Sequence, residues 1–129
     1  TDWQQPFAVL LTQASGISVV HETVYEARLG YTSVLNAMGA KIELSTECMG
    51  RPCRFEHKGH VHSALIMGPT PLVAPVAPVE VPDLRAGLAY VIAAAMAKGK
   101  TTLSHIGRIE RGYGDISQRL DGMLEICKG

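Results

Sequence analysis

Apolar positions alternate along the chain between helix-like and strand-like spacing. Stretches in which apolar residues recur every three or four positions predict helices over residues 4–14, 33–38, 84–98 and 115–123. Stretches rich in β-branched residues predict strands over residues 17–25, 41–46, 53–56, 62–67, 101–106 and 124–127. Five prolines fall within residues 69–82, so this segment is expected to be extended and unable to join the middle of a sheet. The predicted fold class is α/β.

The pattern also repeats within the chain. Asp2 matches Asp83 and Arg28 matches Arg111, and the two registers drift by no more than two residues. Self-similarity at a fixed spacing indicates a duplicated supersecondary unit. We therefore predict two copies joined by a hairpin and proline-rich region, with bounds of 1–46, 82–127 and 47–81, respectively.

The longest predicted helix, residues 84–98, is apolar nearly all round. A helix without a polar face is typical of burial on every side. Its many alanines let neighbouring elements approach closely. We therefore expect a helix wrapped by sheets, whereas the helices of most α/β proteins cover a sheet from outside.

Composition narrows the class of protein. The chain has 129 residues, 47% of them apolar, and its 12 basic and 12 acidic side chains cancel. It can therefore form one domain with a core, and no overall charge attracts nucleic acid or an anionic membrane. The longest apolar run, residues 88–97, is too short to span a bilayer, and no signal-peptide pattern opens the chain. Three cysteines favour a reducing, cytoplasmic setting over a disulfide scaffold, and Thr1 in place of Met predicts a piece of something longer.

Aspartates and arginines at matching places of the two copies are candidates for anion binding. Asp83 and Arg85 open a predicted helix, where free N–H groups and the helix dipole favour negative charge. Arg111 precedes Gly112, and a guanidinium beside bare backbone can bind a phosphate or carboxylate through two hydrogen bonds. The residues alone favour the alternative, in which Asp83 caps the helix and the arginines form ion pairs.

Two further polar segments carry candidate chemistry. One is a string of possible zinc ligands with the spacing C-x4-C-x3-H-x2-H-x-H, formed by Cys48, Cys53, His57, His60 and His62. This spacing matches no recognised finger pattern, and a solvated hairpin tip explains the histidines equally well, so the sequence assigns no metal.

The other polar segment is HETVYEAR, residues 21–28. Its acidic and basic groups fit either an acid–base cluster or a salt-bridge network, and the network is favoured. In that interpretation Arg28 holds its own unit together through Glu22 or Glu26.

Five short motifs, in order and in register, carry a resemblance to a known family: TDWQ, ETVYEAR, LNAMGA, DLRAG and RIERGY. Together they resemble the C-terminal third of the UDP-N-acetylglucosamine 1-carboxyvinyltransferases, a family of enolpyruvyl transferases. The resemblance covers nearly the whole chain apart from a longer hairpin region around residues 48–62. The sequence departs from the family pattern at Ala27, where the family usually has Asn, and at Glu110, where it usually has Asp.

The resemblance implies an inside-out α/β barrel, built from repeated βαβαββ units around buried helices, of which this chain is a partial domain. It also implies transfer of enolpyruvate from phosphoenolpyruvate to the 3-hydroxyl of UDP-N-acetylglucosamine, the first committed step of peptidoglycan synthesis. The implied partners are these two substrates and the missing N-terminal part of the same enzyme. No cofactor, metal, nucleic acid or membrane is implied.

Residue roles follow from the same resemblance. Asp2 is similar to the carboxylate that contacts the sugar 3-hydroxyl and takes its proton, although a helix cap is its plainer interpretation. Val24 corresponds to a position lining the UDP-sugar site, and Arg85 and Arg111 resemble the arginines that hold phosphoenolpyruvate. The family's proton-donating loop cysteine has no counterpart here, so the isolated chain is expected to be inactive. A shikimate-pathway enolpyruvyl transferase and a non-catalytic anion- or zinc-binding module remain alternatives.

Overall fold

The computed structural model describes residues 2–120. Its helices, in chain order, are α1 (Gln4–Leu11), α2 (Thr32–Ala37), α3 (Leu84–Met96), α4 (Gly107–Tyr113) and α5 (Ile116–Arg119). Its strands are β1 (Gly16–His21), β2 (Lys41–Ser45), β3 (Ser63–Gly68), β4 (Val79–Glu80) and β5 (Leu103–Ser104). None of these helices combines the length and the apolar character needed to cross a membrane.

Three strands form an antiparallel sheet in the order β1-β3-β2. At one end of this sheet Ser63 of β3 lies between His21 of β1 and Ser45 of β2. Ala64 and Ile66 of β3 are fully buried, as expected of a strand with neighbours on both sides. β4 and β5 form a separate, short parallel pair.

The central helix α3 begins at a capping aspartate, as the sequence predicts. The Asp83 carboxylate accepts hydrogen bonds from the backbone N–H groups of Arg85 (2.8 Å) and Ala86 (3.0 Å). These bonds satisfy two of the donors that a helix leaves free at its first turn. The helix is then buried along most of its length, and only Ala95 and Met96 are exposed.

The surroundings of α3 differ from the expectation that sheets wrap it. Within the described residues it packs mainly against helices α1, α2 and α4. Gly87 makes the α4 contact close, because a Cβ at this position would lie 2.5 Å from the Ile109 side chain. Small residues on α3 therefore allow neighbouring helices to pack closely against it. The closed barrel implied by the family resemblance stays a prediction.

The structure differs from the predicted elements at the end of β1, at residues 53–56 and at residues 107–113. β1 ends at His21, four residues before its predicted end, because the chain turns there (see below). The strand predicted over residues 53–56 does not form; these residues belong to an irregular loop, residues 46–62, that buries Phe55. Residues 107–113, which the sequence analysis left unassigned, form α4.

The end of the chain and the repeat are described only in part. Asp115 caps α5 by accepting a hydrogen bond from the Gln118 backbone at 3.2 Å. Within residues 2–120 this helix covers the first part of the predicted helix 115–123, and the predicted strand 124–127 lies outside the described residues. The two-copy organisation therefore stays a prediction.

Candidate functional site

A buried carboxylate organises the turn that follows β1. Glu22 is only 3% exposed, and its Oε1 accepts hydrogen bonds from the backbone N–H groups of Val24 (2.7 Å) and Tyr25 (3.2 Å). The Gln4 side-chain amide donates to the other carboxylate oxygen. Because Glu22 takes backbone donors that a continuing strand would offer to a neighbour, the chain leaves the sheet here.

The same turn delivers an arginine to the interior. Ala27 has a φ of 54°, in the left-handed region that favours glycine or asparagine. The next residue, Arg28, stacks its guanidinium over the Tyr25 ring, 4.2 Å from the ring centroid. Its Nη1 is buried and has no hydrogen-bond partner among the described residues. A buried donor of this kind is available to a ligand.

A cleft of about 470 Å³ lies between this turn, α1 and the start of α3. Its lining includes Arg28 and Arg85, together with Gln5 and Tyr31. The Gln5 Oε1 and the Tyr31 hydroxyl are buried without a partner in the described part of the chain. Burial raises the pKa of Tyr31, so its hydroxyl stays a neutral donor. Two carboxylates, those of Glu26 and Asp83, also line the cleft. Within this mixed lining, the two guanidinium groups and the neutral polar groups are the ones that suit a small anionic ligand.

Asp2 and Arg85 form an ion pair beside this cleft. Arg85 Nε donates to Asp2 Oδ1 at 2.8 Å. This hydrogen bond, followed by the charge of the guanidinium, lowers the pKa of Asp2. Asp2 does not cap α1, since the N-cap position belongs to Trp3 and, among residues 2–120, no side chain makes a capping hydrogen bond there. The helix-cap interpretation is therefore wrong, and Asp2 is an ionised acceptor that an arginine holds in place.

Val24 lies apart from the cleft lining. Its side chain is 41% exposed, and its carbonyl accepts a hydrogen bond of 2.6 Å from Arg54 Nη1. Arg54 also pairs with Glu26 at 3.6 Å. The loop of residues 46–62 is thereby tied to the turn that carries Val24 and Arg28.

Arg111 is exposed on α4 and is also absent from the cleft lining. Its neighbour Gly112 approaches the start of α3 so closely that a Cβ would lie 2.6 Å from the Leu84 side chain. The Arg-Gly pair thus brings α4 against the end of α3 that carries Arg85. Within residues 2–120, the structure groups Asp2 with Arg85 and leaves Val24 and Arg111 outside the cleft.

The repeat made Arg28 a candidate anion-binding residue through its match to Arg111, and Arg28 lines the cleft. The favoured interpretation instead paired Arg28 with Glu22 or Glu26. Glu26 pairs with Arg54, and the pairing with Glu22 stays a prediction. Gln5 and Tyr31 gave no comparable signal, because an isolated polar residue among apolar ones does not reveal which cavity it faces.

The fold has a counterpart among solved structures. Over 93% of its length the chain is similar to the enolpyruvyl transferase NikO from Streptomyces tendae, with a TM-score of 0.75 and 28% sequence identity; the match covers 24% of that chain. The fold of this chain is therefore similar to part of the fold of that enolpyruvyl transferase.

Sequence relatives define the family. A family model described as EPSP synthase (3-phosphoshikimate 1-carboxyvinyltransferase) matches residues 1–120, and the chain belongs to this family. It is 55% identical over 114 residues to the UDP-N-acetylglucosamine 1-carboxyvinyltransferase of Protochlamydia amoebophila, covering 88% of this chain and 24% of the relative. It is 54% identical over 117 residues to that of Chlamydia muridarum, covering 89% and 26%. The chain spans about a quarter of the length of these relatives, and the resemblance carried by the five motifs is confirmed.

Proposed function

We propose that the chain is part of an enzyme that transfers enolpyruvate from phosphoenolpyruvate to the 3-hydroxyl of UDP-N-acetylglucosamine, for peptidoglycan synthesis. The observation that carries this proposal is the identity of 54–55% to relatives of that name over nearly nine-tenths of the chain. The name of the matching family model favours a second acceptor, a phosphorylated shikimate, which the assay below includes. The sparse cysteines favour the cytoplasm as the site of this reaction.

The charges around the cleft support the binding of phosphoenolpyruvate. This substrate carries a phosphate and a carboxylate, and the cleft is lined by the guanidinium groups of Arg28 and Arg85. Fixed positive groups stabilise the charge on a tetrahedral intermediate and on the leaving phosphate without moving during the reaction. From the family resemblance we add Arg111, which the Gly112 contact holds near the same end of α3.

Asp2 is the proposed acceptor of the sugar hydroxyl proton. In the addition step the 3-hydroxyl oxygen bonds to C2 of phosphoenolpyruvate, its proton passes to a base, and C3 gains a proton. In the elimination step phosphate leaves C2 and C3 loses a proton, which restores the double bond. A carboxylate within hydrogen-bond reach of the hydroxyl meets the requirement for the base. The Arg85 pair keeps Asp2 ionised, as this role requires. On the basis of the family resemblance, we also propose that Val24 lies beside the UDP-sugar.

The rest of the enzyme is the proposed partner of this chain. Trp3, Phe7 and Leu10 form an exposed apolar stripe along one face of α1, with 77%, 53% and 59% of their surface accessible. Contiguous apolar surface of this kind marks an interaction site. We propose that it packs against the parts that relatives have and this chain lacks, including a general acid. The isolated chain is accordingly expected to release no phosphate from phosphoenolpyruvate.

Phosphate release by the parent enzyme tests the proposal. Purified parent protein is incubated with phosphoenolpyruvate and either UDP-N-acetylglucosamine or shikimate 3-phosphate, and inorganic phosphate is measured. We expect release only with the UDP-sugar. Phosphate release only with shikimate 3-phosphate would show that the parent enzyme uses the second acceptor. Release with neither acceptor would reject both proposed activities.

Two arginine variants test the cleft in the same assay. Arg28→Ala and Arg85→Ala each remove hydrogen bonds to a charged substrate, worth about 1.5–3 kcal/mol, so kcat/KM for phosphoenolpyruvate should fall roughly 10- to 150-fold. Arg51→Ala is the matched control, because Arg51 is exposed in the 46–62 loop and pairs only loosely with Glu56, at 3.5 Å. Equal losses in all of these variants would show that the cleft does not hold the substrate.

A further inference from the structure

Four metal-binding side chains converge at the end of the sheet where the 46–62 loop returns to β3. His21, Cys48, Cys53 and His62 each offer one ligand atom, and these atoms all lie within 4.8 Å of one another. His62 is fully buried and the other residues are partly buried. The arrangement therefore differs from the solvated loop that the sequence analysis favoured.

Strand pairing brings the two histidines together. His21 is the last residue of β1, opposite Ser63, the first residue of β3, and His62 directly precedes that strand. Backbone hydrogen bonds extend the pairing by one step on each side of His62: its carbonyl accepts from Glu22 at 2.8 Å, and its N–H donates to Ser45 at 3.1 Å. The ring centroids of His21 and His62 are consequently 5.3 Å apart.

The loop of residues 46–62 supplies the two cysteines. It leaves β2 next to the sheet end, where the Ser63 hydroxyl donates to the Glu47 carbonyl at 2.6 Å. Cys48 follows immediately, and after the turn at residues 50–52 the chain returns with Cys53. Phe55 is buried against the His62 ring, with 5.4 Å between the ring centroids, and so covers the buried side of the cluster.

Hydrogen bonding prepares the histidine rings as ligands. His62 Nδ1 lies 2.7 Å from the His60 carbonyl, which can only accept, so Nδ1 carries the proton and Nε2 presents a lone pair. That Nε2 lies 3.4 Å from Cys53 Sγ. His21 Nε2 is buried and has no hydrogen-bond partner in the described part of the chain.

We propose that His21, Cys48, Cys53 and His62 bind one zinc ion in a closed, structural site. Two thiolates and two imidazoles are a ligand set that zinc takes in tetrahedral sites. Bond lengths of about 2.3 Å to sulfur and about 2.0–2.1 Å to nitrogen place adjacent sulfur and nitrogen ligands about 3.5 Å apart on a tetrahedron. The 3.4 Å between Cys53 Sγ and His62 Nε2 already matches this separation, and no two of the four ligand atoms are more than 4.8 Å apart.

The site gives the long loop a reason to be ordered. Residues 46–62 form neither helix nor strand, and long irregular loops in compact domains are usually functional. Arg54, next to Cys53, holds the Val24 carbonyl and pairs with Glu26. Zinc at this point would fix the loop against the turn that carries Arg28 into the cleft. His57 and His60, two of the ligands suggested by the sequence, are exposed and outside the cluster, and His21 takes their place.

Zinc content and cobalt spectra test the proposal on the purified 129-residue chain. The chain is prepared without an affinity tag and dialysed against metal-free buffer. Its zinc content is then measured by elemental mass spectrometry. We expect about one zinc per chain. Chelator-treated protein titrated with CoCl2 should develop the strong visible bands of tetrahedral Co²⁺ and the charge-transfer absorption of thiolate ligands. Competition with ZnCl2 then gives the zinc affinity.

Ligand and control variants complete the test. Cys53→Ser and His21→Gln should lose at least about 100-fold in zinc affinity, more than the 10- to 100-fold typical of a change in an outer-shell partner. His57→Gln and His60→Gln, in the same loop, should bind zinc as the parent chain does. If circular dichroism shows that the ligand variants do not fold, the cobalt spectrum of the unaltered chain decides whether the site is tetrahedral with thiolate ligands. A weak octahedral spectrum, a Cys48–Cys53 disulfide in the zinc-free chain, or equal loss in the control variants would each overturn the proposal.

Discussion

Gly68 is the position at which the structure makes the sharpest prediction about stability. It ends β3, and a Cβ placed there would lie 2.4 Å from the Ala14 carbonyl oxygen and 2.7 Å from that of Thr12. Both oxygens belong to the backbone that follows α1, so no side-chain rotation relieves the contact. In Gly68→Ala the end of α1 must move away from the sheet.

Two costs set the size of the effect. Forcing a methyl group into a packed region costs about 1–3 kcal/mol. The displaced Thr12 carbonyl also accepts hydrogen bonds from Thr70, from its N–H at 2.8 Å and from its hydroxyl at 3.2 Å, and both residues are buried. Losing a buried partner costs about 1–3 kcal/mol more. Ala is more favourable than Gly in a strand by about 0.5–1 kcal/mol, which offsets part of this loss. The free energy of unfolding should fall by about 1–5.5 kcal/mol.

Thermal and denaturant unfolding of the purified chain measure this loss. For a chain of this length, with a shift of about 4 °C per kcal/mol, Tm should fall by about 4–22 °C. Gly107→Ala is the matched control, since nothing lies within 4 Å of a Cβ there and its φ is not positive. We expect the control to stay within about 0.5 kcal/mol of the parent. Equal unfolding midpoints for the two variants would refute the close contact between β3 and the end of α1.

The remaining predictions concern the cleft. Asp2→Asn in the parent enzyme should lower kcat by about 10²–10⁴-fold with little change in UDP-sugar affinity, because Asn cannot take a proton; a near-normal kcat would contradict the base role. In the isolated chain, carboxyl NMR should show the pKa of Asp2 below 3.8, and Arg85→Ala should return it to the ordinary range. Since the folded pKa is lowered, the contribution of this ion pair is present above the unfolded pKa and is lost as pH falls through the folded pKa; an unchanged pKa in Arg85→Ala would rule out the pair. Ala27→Asn should stabilise the chain by about 0.5–1 kcal/mol in denaturant unfolding, because Asn tolerates the left-handed φ, whereas Ala37→Asn in α2 should destabilise it; the same sign for both would contradict the strain at Ala27.

Local chemistry explains what could be predicted of the fold. The start of α3 was predictable because Asp83 acts on N–H groups only two and three residues ahead of it. The end of β1 was not, because the β-branched run continues past His21 while the buried Glu22 carboxylate takes the backbone N–H groups that follow. A propensity pattern contains no information on whether a side chain will be buried and so will prefer the backbone to water.

The residues of the cleft can also be separated into those that the sequence predicted and those that it did not. The motifs by themselves identified the family and singled out Asp2 and Arg85, since residue type and order suffice for a resemblance. They did not place Arg28 in the cleft, where its position depends on the left-handed backbone at Ala27 and on the Tyr25 ring.

The sequence by itself therefore determined the family, the apolar central helix, and the cysteines and histidines available near the hairpin. Only the tertiary structure decided which of these side chains meet. His21 joins Cys48, Cys53 and His62 because β1 pairs antiparallel with β3 and sets His21 opposite Ser63. That pairing joins residues about forty positions apart, and its register depends on which sheet face is buried, a property of the whole packed core that no short stretch of sequence contains.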